Sequence, residues 1–190
     1  MSDMAVRYER RPISVDDYHR MADAGIFASD ERVELVDGKL IAVPPMGFPH
    51  GGAMGAMTRL LSSRFSDRAE IRVGLPVIIP PRSEPEPDFT LVTLDPNEWR
   101  DRHPTPPDVM LLIEVSDSSR AFDLRDKALV YARAGIRDFW VVDVVDRRLI
   151  VHRDPSAERY ALTRVLHPLD TIAPLAFPSD ELSVGAMTGR

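Results

Sequence analysis

Three features of this sequence have residue types and spacing suited to chemistry. Pro87-Asp88 opens an apolar run, Glu114 sits inside the run Val109-Met110-Leu111-Leu112-Ile113-Glu114-Val115, and Lys127 lies on the segment that follows. The second run lacks polar alternation and reads as a strand buried on both faces. A carboxylate there is costly unless something compensates its charge. A cation shared with Asp88 is one compensation. The other is a bond from a backbone amide or an arginine to Glu114, with Asp88 capping a loop; the pattern favours neither. Lysine occurs only at Lys39 and Lys127, against 22 arginines, so a lysine just past the acidic strand stands out. Two carboxylates and a lysine on adjacent elements suit metal-assisted hydrolysis of a phosphodiester. Mg²⁺ takes carboxylate oxygens and waters in this way. Lys127 would orient the attacking water or offset transition-state charge. Its ordinary alternative is a surface pair with Asp123, worth a few tenths of a kcal/mol.

Other chemistries find less support. Asp108 also precedes an apolar run, but it would lie about 20 Å from Glu114 along one strand, so it starts a strand rather than sharing a cation. His50 follows Pro49 at a helix start, where a histidine is more often a cap than a ligand, and no second histidine stands at zinc spacing. Gly51, Gly52 and Gly55 are not followed by the Gly-Lys-Ser/Thr of a phosphate loop. Ser116, Ser118 and Ser119 lack the glycines of a nucleophile elbow. Glu34, one acid on a short strand, reads as solvated, and Trp140 as core packing.

The elements that must position these residues follow from periodicity and punctuation. A helix is predicted over Ser14–Gly25, with Ser14 as cap. Asp37-Gly38 between two apolar-rich runs predicts a hairpin of residues 32–36 and 39–43. A second helix is predicted over His50–Phe65, with Ala53, Met57, Leu60 and Leu61 on one stripe. Strands are expected at Ile71–Val73, Pro76–Ile79, Asp88–Leu94 and Val109–Val115. A turn is expected at Ser116–Ala121, and a helix at Phe122–Ala134 ended by Gly135. On that helix Asp123, Lys127, Val130, Tyr131 and Ala134 share a face. A hairpin of Asp138–Asp143 and Arg147–His152 and an edge strand at Tyr160–Val165 complete a mixed sheet with helices, an α/β architecture. The tail after Pro168 is weakly patterned, with a short helix expected near Ser179–Leu182.

The chain has 190 residues, 44% hydrophobic and 28% charged, which fits one ordinary globular domain. It has no cysteine, so disulfides and thiolate metal sites are excluded. No apolar stretch reaches the roughly 18–20 residues of a membrane span, and the first residues lack a signal-peptide core; a cytoplasmic location is expected. The net charge of −6 opposes tight, sequence-independent grip on nucleic acid. It leaves room for catalysis through local arginines or a bound cation.

The motifs taken in order resemble a known family. They are Glu31-Arg32-Val33-Glu34-Leu35-Val36-Asp37-Gly38, His50, Pro87-Asp88, Ile113-Glu114-Val115-Ser116, Asp123-Leu124-Arg125-Asp126-Lys127, and Tyr131-Ala132-Arg133-Ala134-Gly135-Ile136 running into Phe139-Trp140-Val141-Val142-Asp143. This series resembles the Uma family of restriction endonucleases, in the PD-(D/E)XK nuclease superfamily, over roughly residues 12–165. The resemblance implies a restriction-endonuclease-like core within a single domain spanning 1–190, a mixed β-sheet flanked by helices with an N-terminal helix and hairpin. It implies that Asp88 and Glu114 are metal-binding acids and that Glu34 is the acid supplied from near the N-terminus, binding a second ion or its waters. The superfamily's usual lysine two residues after the glutamate is replaced by Ser116, and Lys127 fits a lysine supplied from the next helix. His50 matches a family position whose role is open.

The expected activity is therefore Mg²⁺- or Mn²⁺-dependent cleavage of nucleic acid, DNA foremost, by a homodimer. Two readings compete with it: a non-catalytic binding or assembly module on the same fold, and a metal-dependent hydrolase of RNA or nucleotides.

Overall fold

The computed structural model describes residues 10–45, 47–117 and 120–189. Helix α1 (Val15–Asp23) opens on Ser14, whose hydroxyl accepts from Asp17 N at 3.0 Å. Strands β1 (Val33–Val36) and β2 (Lys39–Ala42) form the expected hairpin. Asp37 and Gly38 turn it with φ of 49° and 74°, the left-handed pair that a type I′ turn requires. Gly38 also lies against Pro12; a Cβ there would fall 2.5 Å from Pro12 Cβ. Helix α2 (Phe48–Phe65) starts two residues before its predicted boundary because Pro49 fits its first turn. It buries Ala53, Met57, Leu61 and Phe65, one stripe at four-residue spacing.

The main sheet contains β3 (Glu70–Val73), β4 (Phe89–Val92), β5 (Val109–Ser116), β6 (Asp138–Asp143), β7 (Arg148–Pro155) and β8 (Tyr160–Leu166), in that spatial order. Strands β5 and β6 pair in parallel and every other neighbouring pair is antiparallel. The chain between β5 and β6 carries α3 (Arg120–Phe122), a π turn at Asp123–Lys127 and α4 (Ala128–Arg133). The helix expected over Phe122–Ala134 is present, running without interruption from Arg120 to Arg133 with one π turn in its middle. The turn expected at Ser116–Ala121 lies partly outside the described residues. Gly135 ends α4 with φ of 77°, as predicted.

Alternation along the strands divides the core between two faces. Phe89, Leu91, Leu111, Ile113, Trp140 and Val142 pack toward α2. Leu112, Phe139, Val141 and Ile150 pack toward α4 and Val36 of the hairpin. Strand β8 lies at a sheet edge, as expected.

Two expectations need correction. Residues 76–79 are extended but form no strand; Pro76, Pro80 and Pro81 remove ladder donors, and Val77 N and Ile78 N donate instead to Pro85 O and Pro104 O. The tail has no helix at 179–182. It pairs β9 (Thr171–Ile172) with β10 (Leu182–Ser183) and ends in α5 (Val184–Thr188), and Leu182, Val184 and Met187 complete the core beneath α2. Among the described residues, no helix is long and apolar enough to cross a membrane.

Candidate active site

The antiparallel β4–β5 register sets Phe89 opposite Ile113. One step further, Asp88 stands opposite Glu114, and directly opposed residues point to the same face of a sheet. The backbone confirms the juxtaposition: Val115 N donates to Asp88 Oδ2 at 2.7 Å. The other Asp88 oxygen, Oδ1, lies 3.0 Å from His50 Nε2 on the first turn of α2. His50 is therefore neither a helix cap nor a solvated turn residue, and it fixes the plane of the Asp88 carboxylate together with Val115 N. The hydrogen bond to Asp88 holds the His50 pKa above its ordinary value, against partial burial.

Glu114 is 3% exposed. Its Oε1 accepts from Lys127 Nζ at 3.1 Å and from Tyr131 Oη at 2.7 Å. Among the described residues, neither a backbone amide nor an arginine compensates it. Lys127 lies in the π turn and Tyr131 one turn further, on α4, so both reach back over the C-terminal half of β5. Lys127 also forms an ion pair with Glu34 Oε2 on β1, at 3.0 Å. Glu34 is 4% exposed, so the solvated acid expected from the sequence is a buried one. The surface pairing considered for Lys127 is likewise replaced by burial, at 6% exposure.

Asp88, His50, Glu114, Lys127 and Glu34 line one cleft. Six carboxylates border it, those of Glu34, Glu86, Asp88, Glu114, Asp117 and Asp123, beside Arg32, His50 and Lys127. The imbalance shapes the electrostatics. Burial pushes the Glu114 carboxyl well above its ordinary pKa; Lys127 opposes this, while Asp123, Asp88 and Glu34 add to it. Burial likewise raises Glu34, against the pull of Lys127. Burial alone would favour a neutral Lys127, but Glu114, Glu34 and Asp123 outweigh it and hold the ammonium protonated.

Asp88 and Glu114 are hard oxygen donors in a cleft with surplus negative charge, a donor set that suits Mg²⁺ or Mn²⁺. Among the described residues, no group of three or more His, Cys, Asp or Glu side chains is placed to enclose an ion. That arrangement still fits Mg²⁺, which is commonly held by one or two carboxylates while waters and substrate phosphates fill the remaining positions.

The structure thus gathers Asp88, Glu114, Lys127, Glu34 and His50 into one place. Tyr131 was missing from the sequence-derived set, although it stands four residues after Lys127 on the same helical face. Asp108, the rejected rival of Asp88, accepts from Thr105 N and Thr105 Oγ1, both at 2.9 Å, and caps the turn that leads into β5.

A mixed sheet with one parallel pair, helices on both faces and an acidic cleft at the end of that pair defines a restriction-endonuclease-like α/β protein. The chain belongs to the Uma2 family, described as "Putative restriction endonuclease", whose sequence profile matches residues 15–185. A crystal structure of "a putative nuclease belonging to DUF820" from Anabaena variabilis has a similar fold, with a TM-score of 0.72 at 17% identity, covering 93% of this chain and 98% of that one. No curated protein matches the chain.

Proposed function

We propose that this chain is a Mg²⁺- or Mn²⁺-dependent endonuclease that hydrolyses phosphodiester bonds of nucleic acid, DNA foremost, and that it works in the cytoplasm. The observation that carries this reading is the buried contact of Lys127 with Glu114, in the cleft that Asp88 shares. Family membership and the fold support nuclease chemistry; the acidic cleft supports the metal.

Asp88 and Glu114 would hold the ion. When bound, it would polarise the scissile phosphate and lower the pKa of a coordinated water. His50 and the Val115 amide keep Asp88 in one orientation. Lys127 remains cationic through its two glutamates, so it can hold a hydroxide or a phosphate oxygen by charge and hydrogen bonding. Glu34 balances Lys127 and would reach the ion through a water or a second ion. The proposal includes a homodimer, one active site for each strand of a duplex; the exposed edge strand β8 is its candidate contact.

The test is cleavage of supercoiled plasmid with Mg²⁺, Mn²⁺ or a chelator, on the parent chain and on Asp88→Asn and Glu114→Gln. Metal-dependent nicking that both substitutions abolish supports the proposal. Cleavage that survives in both variants, or none with any metal on DNA or RNA, refutes it. The second outcome favours a non-catalytic binding module, a reading that the net charge of −6 also fits. Cleavage confined to RNA would redirect the assignment of substrate. Light scattering tests the dimer.

A further inference from the structure

The buried tyrosine on α4 has no part in the activity proposed above. Tyr131 is 0% exposed. Its ring is fixed edge-on against Phe139, with centroids 5.0 Å apart at 69°, and its hydroxyl donates to Glu114 Oε1 at 2.7 Å. Lys127 Nζ donates to the same oxygen at 3.1 Å. Among the described residues, both hydrogen bonds to the Glu114 carboxylate therefore end on Oε1, and none is made to Oε2.

The two donors differ in kind. Lysine has four rotatable bonds and a compact charge that can follow a shifting carboxylate. A buried phenol has two side-chain torsions, both fixed here by packing. With Lys127 and Tyr131 occupying both lone pairs of Oε1, the acceptor sites of the carboxylate that remain for a cation are those of Oε2.

We propose that Tyr131 is a positioning residue for Glu114, occupying Oε1 so that the carboxylate presents Oε2 to a divalent cation in the cleft as a single-oxygen ligand. This inference rests on the metal-site reading given above. Partners that orient a metal ligand typically contribute 10–100-fold in metal affinity.

The experiment is calorimetric titration of Mn²⁺ into the purified full chain and into Y131F and Y160F. Tyr160 makes the matched control. It is 7% exposed, and its hydroxyl donates to a backbone carbonyl, Ile136 O, at 2.9 Å and not to the cleft. Y131F is expected to bind Mn²⁺ at least about 10-fold more weakly than the parent, with Y160F unchanged in affinity and similarly lowered in Tm. Equal affinity in Y131F and the parent would overturn the inference while leaving the metal site standing. Equal weakening in both variants would reduce Tyr131 to a general packing role and overturn it too. A Y131F chain without a cooperative melting transition would do the same. No Mn²⁺ binding by the parent would overturn the metal reading itself, and the inference with it.

Discussion

Lys127 Nζ lies between two glutamates, 3.1 Å from Glu114 Oε1 and 3.0 Å from Glu34 Oε2, although the three residues come from a π turn, the central strand and the N-terminal hairpin. One cation thus joins three separate parts of the chain, and the cost of losing it falls on the two acids left behind.

Lys127→Met is expected to lower stability by about 3 kcal/mol near neutral pH, because it strands two buried carboxylates. Both already have raised pKa values and would rise further without the ammonium. A carboxyl whose folded pKa is raised stabilises fully below its unfolded value and loses that contribution as pH climbs through the folded value. The defect should therefore shrink as the solution is acidified toward pH 4.5. Denaturant titrations of parent and variant at several pH values measure it; a gap that stays constant with pH would contradict this account.

His152 predicts the opposite sign. Burial lowers its pKa to about 4, and its Nε2 is buried without a hydrogen-bond partner among the described residues, while the ring stacks on Phe139 at 5.3 Å. A histidine with a depressed folded pKa stabilises above its unfolded value, near 6.5, and that contribution is lost as pH falls toward 4. The Tm of the parent should drop across this window, and His152→Phe should flatten the decline. Parallel Tm profiles for the two chains would show that another group titrates.

If Asp88 and Glu114 hold a cation, Mg²⁺ or Mn²⁺ should raise the melting temperature, because an ion bound only by the native state stabilises it by about 2.7 kcal/mol at a hundredfold excess over Kd. Asp88→Asn keeps the size of the side chain and should remove the metal-dependent rise. The melting curves are read with and without metal; a rise of equal size in the variant would move the site away from Asp88.

Gly38→Ala should cost about 2 kcal/mol or more. The position has φ of 74°, and the new Cβ would fall 2.5 Å from Pro12 Cβ. The hairpin that carries Glu34 would have to shift, so metal-dependent nicking should fall along with stability. Urea unfolding and the plasmid assay read the two effects, and an unchanged urea midpoint would count against this view of the turn.

Much of the arrangement is legible in the sequence, for local reasons. A polar residue interrupting a continuous apolar run marks Glu114, and Asp-Gly marks the hairpin turn. Pro87-Asp88 and the scarcity of lysine mark the other two groups. Glu34 is different. Its strand is four residues long, and its burial is imposed by β5 and Lys127, elements roughly eighty to ninety positions away that no local period records. The 171–183 pairing joins two-residue strands, too short to show an alternation. Tyr131 was visible as a member of the Lys127 face, but a tyrosine on an apolar face is most simply core, and only the 2.7 Å contact with Glu114 separates it from that reading.

The π turn at Asp123–Lys127 sets a rotational phase. Each residue of an α-helix advances it by about 100°, and a π turn absorbs one extra residue without carrying that rotation into α4. Deleting one residue between Asp123 and Lys127 would let the segment relax to a regular α-helix with Lys127 and Tyr131 still four residues apart on one face, but Phe122 and Asp123 would then meet the cleft from a different azimuth. The wide turn therefore indexes how Phe122 and Asp123 approach the cleft, while the ammonium is indexed by its four-residue spacing from Tyr131.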